Sequence, residues 1–425
     1  MKTEPKPRGP GDYIWIVLAL FFISASGLFL FLLYQTFYAP LKAPTTSTNT
    51  NRTVAKSPLP DDLAVDRLIQ NSARHQYQAE AVLNDALAEK LLLARSVNND
   101  QLNQQVIYQG PVEHIFFHPL IAYPELAFDQ DQSSQGYNEW FITVSEFNQI
   151  LDSLYQKNYI LININYLYEE KIKNGSKVIS PKENLMLPEG KKPLIISIDD
   201  LNYYDYMVQN GNVHKLVLDE KGNTATLTSS SVGEQIAYDN EIVPILDEFV
   251  RQHPDFSFQG AKGTIALTGY EGILGYRLDT TDPNYEQEKS KVLALVNHLK
   301  SSGWTFASHG YGHLDAREIG YNNFVRDTSR WKQEVEPLLG PTNIYIYPFG
   351  SSLNHDDPKF QYLLDSGFQV FYGVGPNPYL KITSDYILMD RRHIDGLALH
   401  YQSDLLIGLF DSKAILDPVR PAFNP

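Results

Sequence analysis

No cysteine occurs among the 425 residues of this chain. That excludes disulfide bonds, thiolate metal sites and a cysteine nucleophile, and it leaves histidine and carboxylate as the strong ligands for a transition metal. Positive charge is scarce too. Lys and Arg total 35 against 50 Asp and Glu, a formal net charge of -15, so the molecule repels phosphate backbones and no nucleic-acid partner is expected. No internal repeat is visible. What is present suffices for a large core: 43% of residues are hydrophobic and 12% aromatic, the balance of one large folded domain with appendages.

The longest apolar run, YIWIVLALFFISASGLFLFLLY, occupies residues 13–34. It is uncharged and has the length a bilayer core requires, roughly 20 residues. The apolar part of a cleavable signal peptide is shorter, about 7–15 residues. An uncleaved membrane anchor is therefore expected over 13–34, with residues 1–12 as a cytoplasmic tail, although the Lys and Arg on its two sides orient it only slightly. Residues 35–60 contain PLKAPTTSTNTNRTVAKSPLP, too polar to pack, and read as a flexible linker. Over 61–103, good helix formers with Leu83, Leu87 and Leu91 at i, i+4 predict a helical stalk, or a helix packed on the main domain. The sequence leaves the oligomeric state open.

From residue 104 to 425, apolar runs alternate with helical patterns, as in an α/β domain. VEHIFF, YILININYL, LIISI, TIAL and WTFAS read as strands; a helix opened by Ser145 (SEFNQILDSLYQ), NEIVPILDEFVRQ and EQEKSKVLALVNHLKSS read as helices. HKLVLDEKGNTATLTS alternates around Lys221-Gly222-Asn223 and predicts an inserted β-hairpin. Four strand-like runs end in polar clusters: LIISI in Asp199-Asp200, WTFAS in His309 and His313, NIYIY in Pro348-Phe349-Gly350, and YILM in Asp390, Arg391, Arg392 and His393. In sheets of parallel strands, catalytic residues collect at the C-terminal strand ends, so the four clusters read as one site. Adjacent carboxylates repel unless a cation relieves them, leaving one as ligand and the other as base; the alternative is a turn or helix-cap pair. His309 and His313, at i, i+4, fall on one side of a helical turn and can share a metal, while Gly310 and Gly312 argue against an ordinary helix. Asp with two His leaves open positions on a zinc-like ion, as catalytic sites do. The Pro348-Phe349-Gly350 turn can present backbone N–H groups to an oxyanion.

SIDD, SHGYGH and YPFG, in this order and with helical spacers, resemble the first three motifs of the polysaccharide deacetylase family, also called the NodB homology domain or carbohydrate esterase family 4. The resemblance spans roughly Val112 to Leu409 and includes VEHIFFHPL, similar to the opening strand of many members. It implies a distorted, incomplete (β/α) barrel over 104–425, interrupted by the hairpin. It further implies that Asp199 is the general base, that Asp200, His309 and His313 bind a divalent metal (zinc, with cobalt or nickel as alternatives), and that the Phe349 N–H stabilises an oxyanion. The product would be acetate from an N-acetylhexosamine glycan of the cell surface or wall, with the domain held outside the cell by its anchor. Ile346 stands where the family often has an Arg that tunes the base, so Arg391 or Arg392 is expected to replace it. The fourth motif is absent, and the acid is taken as His393, with His400 as the alternative. Tyr203, Tyr311 and Arg391 are candidate substrate-binding residues, Tyr204 and Tyr206 are further candidates for stacking on sugar rings, and His118 is a candidate for the pocket wall. Two other readings stay open: a glycan-binding protein without turnover, and a metal hydrolase of an O-acetyl ester or peptide amide.

Overall fold

The computed structural model describes residues 104–173, 176–230 and 233–423. One expectation is corrected at once. Among the described residues no helix is long and apolar enough to cross a membrane, so the single-pass, extracellular placement is withdrawn. The run at 13–34 on which it rested lies outside the described residues, as do the tail, the linker and the stalk.

Among the described residues, nine strands form the main sheet: β1 (Glu113–Phe117), β2 (Tyr159–Leu161), β3 (Lys192–Ile198), β4 (Thr264–Leu267), β5 (Thr305–Ser308), β6 (Ile344–Ile346), β7 (Val370–Val374), β8 (Tyr379–Ile382) and β9 (Ile387–His393). Strands β1, β3, β4, β5, β6, β7 and β9 are parallel and pair in a closed ring, β3 to β4 through to β9, then β1, and back to β3. The ring is irregular at two seams. On β3 the first half pairs with β2 (Lys192 to Leu194), and only Ser197 and Ile198 pair with β4. On β9 the first half pairs with antiparallel β8, and only Arg392 and His393 pair with β1. At both seams the pairing thus involves only the C-terminal ends of β3 and β9, which lead into polar clusters. The expected distorted barrel is present with this particular wedge at its base.

Period-two alternation sorts the side chains. From β3, Leu194, Ile196 and Ile198 pack outward against helices, while Ile195 joins Ala266, Ala307, Ile346, Tyr372 and Met389 inside. The helices that matter for the site are α1 (Ser134–Trp140), α2 (Val144–Gln156), α3 (Ile242–Gln252), α4 (Tyr285–Ser301), α5 (Tyr321–Glu334), α6 (Pro358–Asp365) and α7 (Gly396–Tyr401). α2 opens at Val144, one residue before the expected Ser145, because Thr143 accepts the Glu146 N–H while Glu146 returns to the Thr143 N–H, a capping box.

Two local expectations change. YILININYL is a strand only as far as Leu161, since Asn163 caps a 3₁₀ turn at Ile164–Tyr166, and Tyr168–Lys173 then pairs with Ser176–Pro181 as a hairpin. The predicted insertion pairs Lys215–Leu218 with Thr224–Ser230, but Gly233–Ala237 adds a third strand. Asp219 shapes its turn by accepting the N–H groups of Lys221 and Asn223 at 2.8 and 2.7 Å.

Candidate active site

The C-terminal ends of β3, β5, β6 and β9 open into one cavity of about 780 Å³ whose lining includes Asp199, Asp200, His309, His313, Phe349, Arg391 and His393. The four clusters read from the sequence do converge.

In an extended strand Asp199 and Asp200 would face opposite sides. Here Asp200 has φ of 57°, a left-handed conformation uncommon outside glycine, which breaks the alternation and lets both carboxyls reach the cavity. Asp200, His309 and His313 each offer a ligand atom, and these atoms lie within 4.8 Å of one another. His309 donates its Nδ1–H to the Ile346 carbonyl at 2.9 Å, since a carbonyl can only accept, and its Nε2 therefore keeps a lone pair for a metal. Burial holds the His309 pKa below its ordinary value, against the pull of Asp199 and Asp200. Burial also pushes the Asp200 carboxyl up, but His313 and His309 outweigh this and hold it below the usual range. Tyr204 donates to Asp200 Oδ1 at 2.7 Å and fixes its rotamer. One anionic oxygen with two imidazoles is a donor set that fits a divalent cation. The helical spacing of the two histidines is not realised as a helix, in line with Gly310 and Gly312: His309 to His313 is a loop, with positive φ at Gly310 and His313.

Asp199 is gripped by Arg391, whose Nη1 and Nη2 donate to its two carboxylate oxygens at 2.7 and 2.9 Å. Burial raises the Asp199 pKa, but Arg391 and then His309 overcome it and hold the group at about 2. Arg391 also donates to Ser197 at 3.1 Å and lies 4.1 Å over the Phe116 ring. It thus supplies from β9 the arginine missing at Ile346. Arg392 pairs instead with Glu113 at 3.1 Å.

Phe349 has φ of 58°, lines the cavity and is 68% exposed. No described residue accepts its N–H. His393 binds Asp395 through Nδ1 at 2.7 Å and Gln402 through Nε2 at 2.8 Å. Burial lowers its pKa, yet Asp395 prevails and the net shift is upward. His400 lies outside the cavity, its ring 4.3 Å from that of Phe423. His118 does line the cavity.

Three assignments are corrected. Tyr203 is fully buried in the core outside the barrel, because its own φ of 53° turns the ring away from the cavity. Tyr311 is buried beneath Arg330, whose guanidinium lies 3.9 Å from its ring centre. Arg391 does line the cavity, but its side chain has no exposed surface and both its Nη groups are committed to Asp199, so its contact is with the acid. In their place Trp140 from α1 and Tyr206 stand half-exposed in the cavity wall, beside Phe141 and Val374. Tyr206 stacks on Tyr204 with centroids 5.9 Å apart. Trp140 lay in a segment with no motif, and only its exposure beside the acids gives it away.

A parallel barrel wrapped by helices, with an Asp-His-His cluster and a carboxylate-guanidinium pair at its C-terminal rim, fits the polysaccharide deacetylase fold. The solved structures similar to this chain include members of that family. A polysaccharide deacetylase from Bacillus cereus is 15% identical, the match covering 68% of this chain and 66% of that one with a TM-score of 0.38. The Streptococcus pyogenes deacetylase PplD, solved with acetate, is 13% identical over 68% of this chain and 94% of that one, with a TM-score of 0.36. IcaB from Ammonifex degensii is 13% identical over 72% of this chain and 100% of that one, with a TM-score of 0.37. No protein-family model and no curated protein matches the sequence.

Proposed function

We propose that this protein hydrolyses the acetamide of N-acetylhexosamine units in a glycan of the cell-surface or cell-wall type, releasing acetate and a free amino sugar. The observation that carries the reading is the convergence on one cavity of an ionised carboxylate, a separate Asp-His-His cluster, a backbone N–H without an acceptor, and a His-Asp pair. Asp200, His309 and His313 would hold the metal, zinc by preference. When bound, a divalent cation supplies Lewis acidity, lowering the pKa of water and polarising a carbonyl.

The chain's own groups account for the proton movements. Asp199 stays ionised beside Arg391, and each of its oxygens keeps a lone pair beyond the one Arg391 uses, so it accepts a proton from the attacking water. As the water oxygen bonds to the acetamide carbon, the Phe349 N–H donates to the oxygen that gains charge. His393, bound to Asp395 through Nδ1 and held toward its protonated form, would give the amine a proton from Nε2 as the carbon–nitrogen bond breaks, once the Gln402 amide that donates to Nε2 in the resting structure has turned aside. Trp140, Phe349 and Tyr206 offer apolar faces on which sugar rings can lie.

Acetate release from N-acetylglucosamine oligomers by the full chain with added zinc or cobalt tests this. Asp199→Ala should retain metal and lose turnover, by roughly 10²–10⁴-fold as for removal of a general base, whereas Asp200→Ala should lose metal and turnover together. Release from O-acetylated sugars alone would move the reading to an esterase, and glycan binding without any release would move it to a receptor.

A further inference from the structure

The loop bearing His309 and His313 lies between β5 and α5 and contains neither helix nor strand. Its middle is held from outside. Asp327, on α5, accepts the Tyr311 N–H on Oδ2 and the Gly312 N–H on Oδ1, both at 2.8 Å. Two successive amides point the same way only where the backbone curls into a nest for an anion, and Gly310 and His313, with φ of 67° and 50°, make that curl. The glycines of SHGYGH also clear the approach. A Cβ at Gly310 would lie 2.9 Å from Asp327 Oδ2, and one at Gly312 would lie 3.3 Å from Oδ1. The Tyr311 carbonyl accepts the N–H groups of Gly269 and Tyr270 at 2.9 and 3.1 Å, so the loop is pinned from the segment that follows β4 as well as from α5. Asp327 itself does not line the cavity.

We propose that Asp327 is a positioning residue for the metal: by gripping the two amides between the histidines it fixes the spacing of the His309 and His313 imidazoles, which then meet Asp200 already arranged. The proposal rests on the metal site of the preceding section. Charge-assisted bonds from two amides to one carboxylate are strong and directional, and groups that orient metal ligands in this way typically govern metal affinity by about 10–100-fold.

Zinc affinity of the full chain, by competition with a chromophoric chelator, and the visible absorption of the cobalt form provide readouts independent of turnover. Asp327→Asn turns one accepting oxygen into an NH₂ that opposes an N–H. It should weaken zinc binding about 10–100-fold and alter the cobalt spectrum. Gly312→Ala keeps the carboxylate but displaces it, and it should act in the same direction with a smaller loss; it decides the matter if Asp327→Asn does not fold. His313→Ala is the control for the site. Wild-type zinc affinity in His313→Ala would remove the metal site and this inference with it. A loss in His313→Ala, with wild-type affinity and cobalt spectrum in Asp327→Asn and Gly312→Ala, would overturn the role of Asp327 alone.

Discussion

At Asp199 burial and ion pairing oppose each other, and the bidentate contact to Arg391 decides the outcome. Arg391→Met would leave a buried carboxylate without its partner, a change that costs about 3–5 kcal/mol in comparable buried pairs. Two consequences follow: a matching fall in unfolding free energy in urea at neutral pH, and an acid limb of kcat/KM displaced to higher pH, since removal of the cation lets burial raise the Asp199 pKa. Glu241 presents the opposite case. It is fully buried at the start of α3, where one carboxyl oxygen accepts the N–H groups of Ile242 and Leu120 at 2.7 and 3.3 Å. Burial raises its pKa from 4.5 to about 8, more than these bonds lower it. A group whose folded pKa lies above its unfolded one stabilises the fold most fully below the unfolded value, and that contribution is lost as pH rises toward the folded value. The wild type should therefore lose stability between about pH 4.5 and 8. Glu241→Gln, neutral throughout, should flatten that slope in urea midpoints measured across the range.

Among the elements, the corner between α1 and α2 matters because it carries Trp140 and Phe141 into the cavity wall. Arg420, far along the chain, straps it down. Its Nε and Nη2 donate to the two Glu146 oxygens at 2.5 and 2.7 Å, its Nη1 to the Asn138 carbonyl at 3.1 Å, and its Nη2 to the Phe141 carbonyl at 2.7 Å. Glu146 also completes the capping box of α2 by accepting the Thr143 N–H, so a single carboxylate closes both the helix start and the strap. Arg420→Ala should cost about 3–5 kcal/mol, as a broken buried pair, and should raise KM for glycan oligomers more than it lowers kcat, because the wall loosens while the acids stay in place. Arg420→Lys cannot make the planar two-pronged contact and should fall between the two. Steady-state kinetics on oligomers, set beside urea melts, would separate the two effects.

For the whole molecule, the β3–β4 and β9–β1 seams are held only by the last two residues of β3 and of β9, next to Asp199 and the His393–Asp395 pair. The net charge of -15 acts at longer range. Deacetylation turns a neutral glycan into a polycation, which an acidic protein retains, and salt screens that attraction over a Debye length of about 8–10 Å at ordinary ionic strength. Inhibition by free amino-sugar oligomers should therefore weaken as sodium chloride is raised, while inhibition by acetate should change little. Initial rates at two salt concentrations would test this.

The amino-acid sequence by itself determined the alternation of strands and helices, the inserted hairpin and the polar clusters at four strand ends, because each depends on a local pattern and lies next to the apolar run that places it. The Asp200, His309 and His313 cluster and the neighbouring Asp199 were visible for the same reason. Pairings across the fold were not. Arg391 reaches Asp199 from 192 residues away, and no periodicity distinguishes it from Arg392, which faces the other side of β9. Tyr203 looked like a pocket residue until the left-handed backbone at Asp200 and Tyr203 reversed the direction its position implied. The shape of SHGYGH belongs to the tertiary structure as well: a carboxylate on α5, rather than helical hydrogen bonding, curls the loop and brings its two histidines to Asp200.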